Sequence, residues 1–213
     1  MAKIITVPNP LLRQKSKEIN PPVGGDKKTF DLIKELKQTV RSTEGIKGVG
    51  ISAIQIGVPK RVFIAHSDAS NKFLVFINPV VVWKSKRMLS GVPRTNKLEG
   101  CLSVPGIWGQ VKRHQVIKLR YQTISGQIIT RRFRGFLGII CQHEYDHLEG
   151  ILFTDRVLEQ KACLPSLARP PGLRPGEVGR GARATSGQGR LFKLEKDKEG
   201  KEKLVEFNFE AQI

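Results

Sequence analysis

Two histidines four residues apart, in His143-Glu144-Tyr145-Asp146-His147, constrain this chain more than any other feature. On an α-helix they stand one turn apart on one face, so both imidazoles can reach a single ion. Glu144, beside the first histidine, can reach a water on that ion. Imidazole suits borderline-soft metals such as Zn²⁺ or Fe²⁺. An apolar approach from Phe136 to Cys141 embeds the motif, and spacings of three and four put Phe136, Ile139, Ile140, His143 and His147 on one stripe. The pattern predicts a helix over residues 135–148.

A catalytic metal site takes three protein ligands and leaves one position open. Downstream of His147 the candidates are poor, because Glu149 is too close and Asp155 would be an unusual ligand. Upstream, Cys101 sits in Glu99-Gly100-Cys101-Leu102-Ser103, where a glycine turn can present a thiolate. A lone cysteine is more commonly a buried apolar thiol, and the residues alone leave both readings open. Three cysteines cannot all pair, and with no export signal evident at the start they read as ligands or thiols rather than a disulfide framework. Cys141, two residues before His143, points to another side of the helix and reads as packing, as does Tyr145. Cys163 reads as a free thiol. A third segment, Gly48-Val49-Gly50-Ile51-Ser52-Ala53-Ile54-Gln55, lacks the Gly-Lys-Ser/Thr ending of a phosphate loop. Its small residues let a backbone approach a ligand closely, and Gln55 offers a neutral N–H donor.

The rest of the chain frames these segments. Asp26 can cap a helix reaching about Glu44, with Phe30, Ile33, Leu36 and Val40 on one face. Apolar, β-branched runs follow at 61–65, 73–77, 79–83, 116–121 and 127–133, the last two joined by a Ser125–Gly126 turn. Lys118 and Arg120 alternate with apolar neighbours, as on a strand with one wet face. The expected class is therefore α+β: antiparallel strands packed around a late central helix that carries the histidines, with an early N-terminal helix. Residues 163–190 hold four Pro, six Gly and five Arg but one acid, a composition of a flexible insertion or linker. This divides the chain into a main unit (1–162), the linker (163–190) and a charged C-terminal segment (191–213), the last a strand or a short helix. The net charge of +18 lies mostly in the main unit. A basic surface attracts polyanions, RNA foremost in a cell, although a merely lysine-rich solvated surface reads the same way and no aromatic RNA-binding strand motif is present. No apolar run approaches the roughly 18–20 residues of a membrane span, so the cytoplasm is the expected compartment.

Taken together, the three segments resemble the peptide deformylase family, hydrolases that remove the formyl group from the N-terminal methionine of new bacterial and organellar proteins. The family's G-x-G-x-A-A-x-Q motif is similar to residues 48–55, with Ser52 in place of the first alanine. E-G-C-x-S is met in full by residues 99–103, and Q-H-E-x-D-H by residues 142–147. The resemblance covers about residues 1–160, and 163–190 match nothing in it. It implies that Cys101, His143 and His147 hold one divalent ion, commonly Fe²⁺, with Zn²⁺, Ni²⁺ or Co²⁺ as substitutes. It implies that Glu144 passes a proton from the attacking water to the departing amine. The Gln55 amide and the Leu102 backbone N–H would stabilise charge on the formyl oxygen. Phe136, Ile139 and Ile140 would wall a methionine pocket, core packing being the other use of Phe136. Gly48 and Gly50 would offer an edge to the peptide backbone. Glu99 and Arg113 can pair to hold the cysteine turn. His66 and His114 receive no role.

Two rivals fit parts of the sequence. A helical zinc endopeptidase fits the histidine pair, and a thiolate ligand argues against it. A non-enzymatic RNA- or ribosome-binding module with a decayed site fits the charge, and the intact Glu144 and Gln55 argue against decay. Docking and catalysis are compatible, since formyl-Met nascent peptides emerge at the ribosome. The expectation is a cytoplasmic monomer with no membrane partner; bacterial, organellar and phage deformylases all fit, with bacterial favoured because no Arg/Ser-rich transit segment is seen.

Overall fold

The computed structural model describes residues 2–20, 26–43, 48–90, 98–162, 190–196 and 202–207. Its helices are α1 (Lys27–Arg41), α2 (Gly135–Leu148) and α3 (Phe153–Ala162). The strands are β1 (Gly50–Ser52), β2 (Val62–Ser67), β3 (Lys72–Lys84), β4 (Met88–Ser90), β5 (Glu99–Cys101) and β6 (Val104–Gly109). They continue with β7 (Lys112–His114), β8 (Val116–Gln122), β9 (Ile128–Arg134), β10 (Leu191–Lys196) and β11 (Glu202–Phe207). The described strands pair antiparallel, in a five-stranded sheet β1-β2-β3-β8-β9, a four-stranded sheet β11-β10-β6-β5 and a two-stranded β4-β7, and one isolated parallel bridge joins Lys17 to Lys60. This is the α+β arrangement expected, with α2 at its centre.

The unbroken apolar run of β2 explains the layering. Phe63 and Ala65 pack in one core with Ile140, Cys141 and Leu148 of α2, while Val62 and Ile64 pack in another with Ile33, Leu36 and Val40 of α1. A strand covered on both faces has no need to alternate. Strand β8 does alternate: Ile117, Leu119 and Tyr121 are buried, and Lys118 and Arg120 turn outward. Helix α2 has the predicted bounds. Helix α1 starts at the predicted cap, with Asp26 Oδ1 accepting from Thr29 N at 3.1 Å. It stops at Arg41, short of Glu44. Phe30 is 45% exposed, not in the core. Thr29, bonded through its hydroxyl to Asp26, holds the inward position instead, because it continues the four-three-four spacing back from Val40.

The runs at 73–77 and 79–83 are one long strand, β3. Asn78 has φ 47° and its amide grips Ile19, with Oδ1 accepting from Ile19 N at 3.0 Å; there the strand slips register against β8 and continues. The C-terminal segment is strand, not helix: β10 lies along β6 and buries Leu191 in a third core with Val104, Phe153 and Val157. Cys163 and the predicted linker up to residue 189 fall outside the described residues. Among the described residues no helix is long and apolar enough to cross a membrane.

Candidate active site

Helix α2 leaves β9 with Ile139, Ile140, Cys141 and Leu148 buried and sets His143 and His147 one turn apart, ring centroids 5.0 Å from each other. The β5–β6 turn brings Cys101 to them, Sγ lying 3.2 Å from His147 Nε2. Ligand atoms of all three residues fall within 4.8 Å of one another. The cysteine turn requires its glycine: a Cβ on Gly100 would stand 2.7 Å from the Trp108 ring. His143 Nδ1 lies 3.1 Å from Glu99 Oε2, a carboxylate that fixes the ring and leaves Nε2 for the site.

This donor set fits a divalent ion of borderline softness. Burial holds His147 well below the ordinary histidine range, in the neutral form that a ligand needs. Its Nδ1 is buried without a hydrogen-bond partner among the described residues, so the ring makes its polar contact through Nε2, the atom facing Cys101. Burial also works to lower the pKa of His143, but its contacts with Cys101 and Glu99 outweigh that and raise it.

Glu144 is 4% exposed. Burial pushes its carboxyl up to about 7, against the pull of the His143 charge and a hydrogen bond from Ser52. Ser52 Oγ lies 2.8 Å from Glu144 Oε2 and 2.9 Å from the Glu144 backbone oxygen. Gly50 lets β1 cross directly over this carboxyl group: a Cβ there would meet Glu144 Oε1 at 2.6 Å and Ile140 at 2.8 Å. Gln55 follows β1 in a short 3-10 turn. Its Oε1 accepts from Ser52 N at 2.8 Å, which turns Nε2 toward Ser103 Oγ (3.1 Å) and Cys101 Sγ (3.6 Å).

Ten of the residues singled out from sequence line one cavity of about 260 Å³: Gly48, Gly50, Gln55, Cys101, Leu102, Phe136, Ile139, Ile140, His143 and Glu144. His147 sits behind it, 1% exposed. Phe136 is a half-exposed wall of the cavity rather than core. Gly48 also serves packing, since a Cβ would lie 2.5 Å from Val40. Trp108 and Ile107 of β6 also line the wall, and no local sequence pattern marks them, because the pairing of Trp108 with Gly100 exists only once the strands are aligned.

The Glu99–Arg113 pair is present and buried. Arg113 Nε and Nη2 each reach a Glu99 oxygen at 2.8 Å, and Nη1 donates to Asp146. Burial would raise the Glu99 pKa, but the Arg113 charge and hydrogen bonds hold it at about 2. Cys141 lies in the core, where burial pushes its thiol up. Tyr145 packs there too and accepts from Arg61 Nη2 at 3.0 Å. Glu149 and Asp155 are engaged by Arg61 and Arg13, away from the three ligands.

A family profile described as Polypeptide deformylase matches residues 1–162. A peptide deformylase of Pseudothermotoga lettingae is 37% identical over 155 residues, covering 73% of this chain and 82% of the relative. One from Desulforudis audaxviator is 38% identical over 154 residues, covering 72% and 92%. A class I type b peptide deformylase from Acinetobacter baumannii, solved with Met-Ala-Ser bound, superposes with a TM-score of 0.65 at 31% identity, covering 73% of this chain and 97% of that one.

Proposed function

The chain belongs to the polypeptide deformylase family, and on that premise we propose that residues 1–162 form a catalytic unit in which Cys101, His143 and His147 hold one divalent ion. The reaction is hydrolytic removal of the formyl group from the N-terminal formyl-methionine of newly made proteins, releasing formate. The observation that carries this reading is the convergence of a thiol and two imidazoles on an apolar-walled cavity beside a buried carboxyl group.

A metal held there supplies a Lewis acid that makes water a better nucleophile at neutral pH. Glu144, its carboxyl poised at about 7, takes a proton from the attacking water and returns it to the departing amine. Gln55 is held by Ser52 N so that its amide N–H faces the formyl oxygen, and Leu102 offers a backbone N–H from the cysteine turn. Phe136, Ile139 and Ile140 take the methionine side chain. Beside them β1 is the outer strand of its sheet, an edge along which an extended peptide can lie at Gly48 and Gly50. Fe²⁺ is our reading of the native ion, with Zn²⁺, Ni²⁺ and Co²⁺ meeting the same donor preference.

Anaerobic measurement of formate released from a formyl-Met peptide tests the function, and no release by metal-replete protein would sink it. Ser52 is a finer test of the site. Its hydroxyl touches Glu144, so Ser52→Ala should lower kcat by roughly tenfold with KM unchanged. A change in KM alone would place Ser52 with substrate binding instead.

The finer setting of the activity also belongs to this reading: a cytoplasmic monomer working at the ribosome, docked through its basic surface. Residues 163–190 would be a linker to the charged end. Sedimentation with ribosomes at rising salt tests the docking, since phosphate contacts weaken steeply.

A further inference from the structure

Positive charge is unevenly placed. Residues 69–143 contain thirteen Lys and Arg and one acid, Glu99, which is buried against Arg113. Elsewhere the signs mix: α1 sets Asp31 and Glu35 among its lysines, and α3 pairs Arg156 with Glu159. The inward side of β8 and β9 holds Ile117, Leu119, Tyr121 and Phe133, so Lys118, Arg120, Arg132 and Arg134 share the outward side. Lys118 stands directly opposite Arg132. Like charges so placed repel and weaken a sheet. Trp83 of β3 flanks Lys118 on its other side and is 46% exposed. Lys118 Nζ and Arg132 Cζ each lie 5.9 Å from its ring centroid. Among the described residues no Lys or Arg of β3, β8 or β9 joins an ion pair.

We propose that this outer face of β3, β8 and β9 binds single-stranded RNA, with Trp83 as a stacking platform and Lys118, Arg120, Arg132 and Arg134 holding phosphates. Side chains on one face recur about every 7 Å along a strand and about 5 Å across strands, so the four cations form a grid that a flexible nucleic-acid backbone can follow. An exposed indole set among cations takes any base by its π-face and asks for no sequence. A lipid surface would also answer the charge. It is typically met by a helix with an apolar face, and here the cations stand on a flat sheet around one aromatic ring. Helix α2 packs on the opposite side of the sheet, so the cavity stays open while this face is occupied. The inference rests on the docking reading above and gives that docking a place and a chemistry.

The test is fluorescence anisotropy of a short labelled single-stranded RNA of mixed sequence, titrated with metal-replete full-length protein as salt is raised. The combined variant Lys118→Ser, Arg120→Ser, Arg132→Ser should lose at least about tenfold in affinity and flatten the salt slope by about 2, at roughly 0.7 per phosphate contact. Trp83→Ala should lose about tenfold and Trp83→Phe much less. Lys27→Ser, Lys28→Ser, Lys34→Ser removes equal charge from α1 and should change little. All should release formate at the wild-type rate. Equal losses in the two triple variants, or wild-type binding by Trp83→Ala, would overturn the proposal. So would tighter binding of phosphatidylserine vesicles than of RNA through the same three residues. Ribosome sedimentation separates the two readings: wild-type RNA binding by the sheet variant sinks this one even where sedimentation persists. Loss of RNA binding by that variant upholds it even where sedimentation fails.

Discussion

Metal-replete Glu144→Ala is expected to keep its ion and to release formate about 10²–10⁴-fold more slowly than wild type. The carboxyl group is not among the three converging ligands, so its removal leaves Cys101, His143 and His147 in place. What is lost is the group that carries the proton between water and amine. Glu144→Gln keeps the volume under Gly50 and should be as slow, which separates acid–base chemistry from shape. Stability should move the other way. The folded-state pKa of about 7 lies above the ordinary value of 4.5, so burial costs wild type nothing below 4.5 and increasingly more as pH rises through 7. With both proteins freed of metal by chelation, Glu144→Gln carries no such penalty and should be more stable above neutrality, by up to ~3 kcal/mol, and equally stable below about 4.5. Elemental analysis, the formate assay and calorimetry at the two pH values read these outcomes. A variant that keeps more than about a tenth of wild-type kcat would remove Glu144 from the proton path.

The site was readable in the sequence where its signals are local. His143 and His147 lie on one helix whose spacing declares itself, and α2 has the bounds that spacing implies. Partner choice over long separations was not readable. Ser52 and Glu144 meet across 92 positions, and Arg113 takes Asp146 as well as Glu99. Nothing in the local pattern of either residue names the other. The three-residue strands β1, β4, β5 and β7 escaped because so few positions cannot show alternation. The run at 191–196 alternates too loosely to separate strand from helix, and only its docking on β6 decides. On α1 angular position outranks hydrophobicity: Thr29, a poorer core residue, has the inward phase, and Phe30 stays exposed.

Removing the cation at the centre of the buried network should be the most destabilising single change, with Arg113→Met costing about 3–5 kcal/mol. Arg113 is 4% exposed and lies between two carboxylates. Asp146 retains Arg156, whose Nη2 is 2.7 Å from Oδ1, so the damage falls on Glu99. With Arg113 present, Glu99 titrates at about 2 against an ordinary 4.5, so its contribution is full above 4.5 and disappears as pH falls toward 2. Without the guanidinium, only the His143 contact opposes burial, so the folded-state pKa rises and the stabilisation that Glu99 contributes shrinks. The gap between variant and wild type should therefore be widest near neutrality and narrow as pH falls from 4.5 toward 2. Denaturant unfolding of both proteins freed of metal by chelation keeps metal release out of the comparison, and a gap independent of pH would refute the account. Arg113→Met combined with Glu99→Leu should recover most of the stability, since apolar replacement of a whole buried pair is often neutral. It should not recover the metal. His143 Nδ1 then has no carboxylate at 3.1 Å, and loss of such an orienting group weakens metal affinity by about 10–100-fold. A double variant that is stable yet poor in metal would show that the ion pair serves the histidine more than the fold.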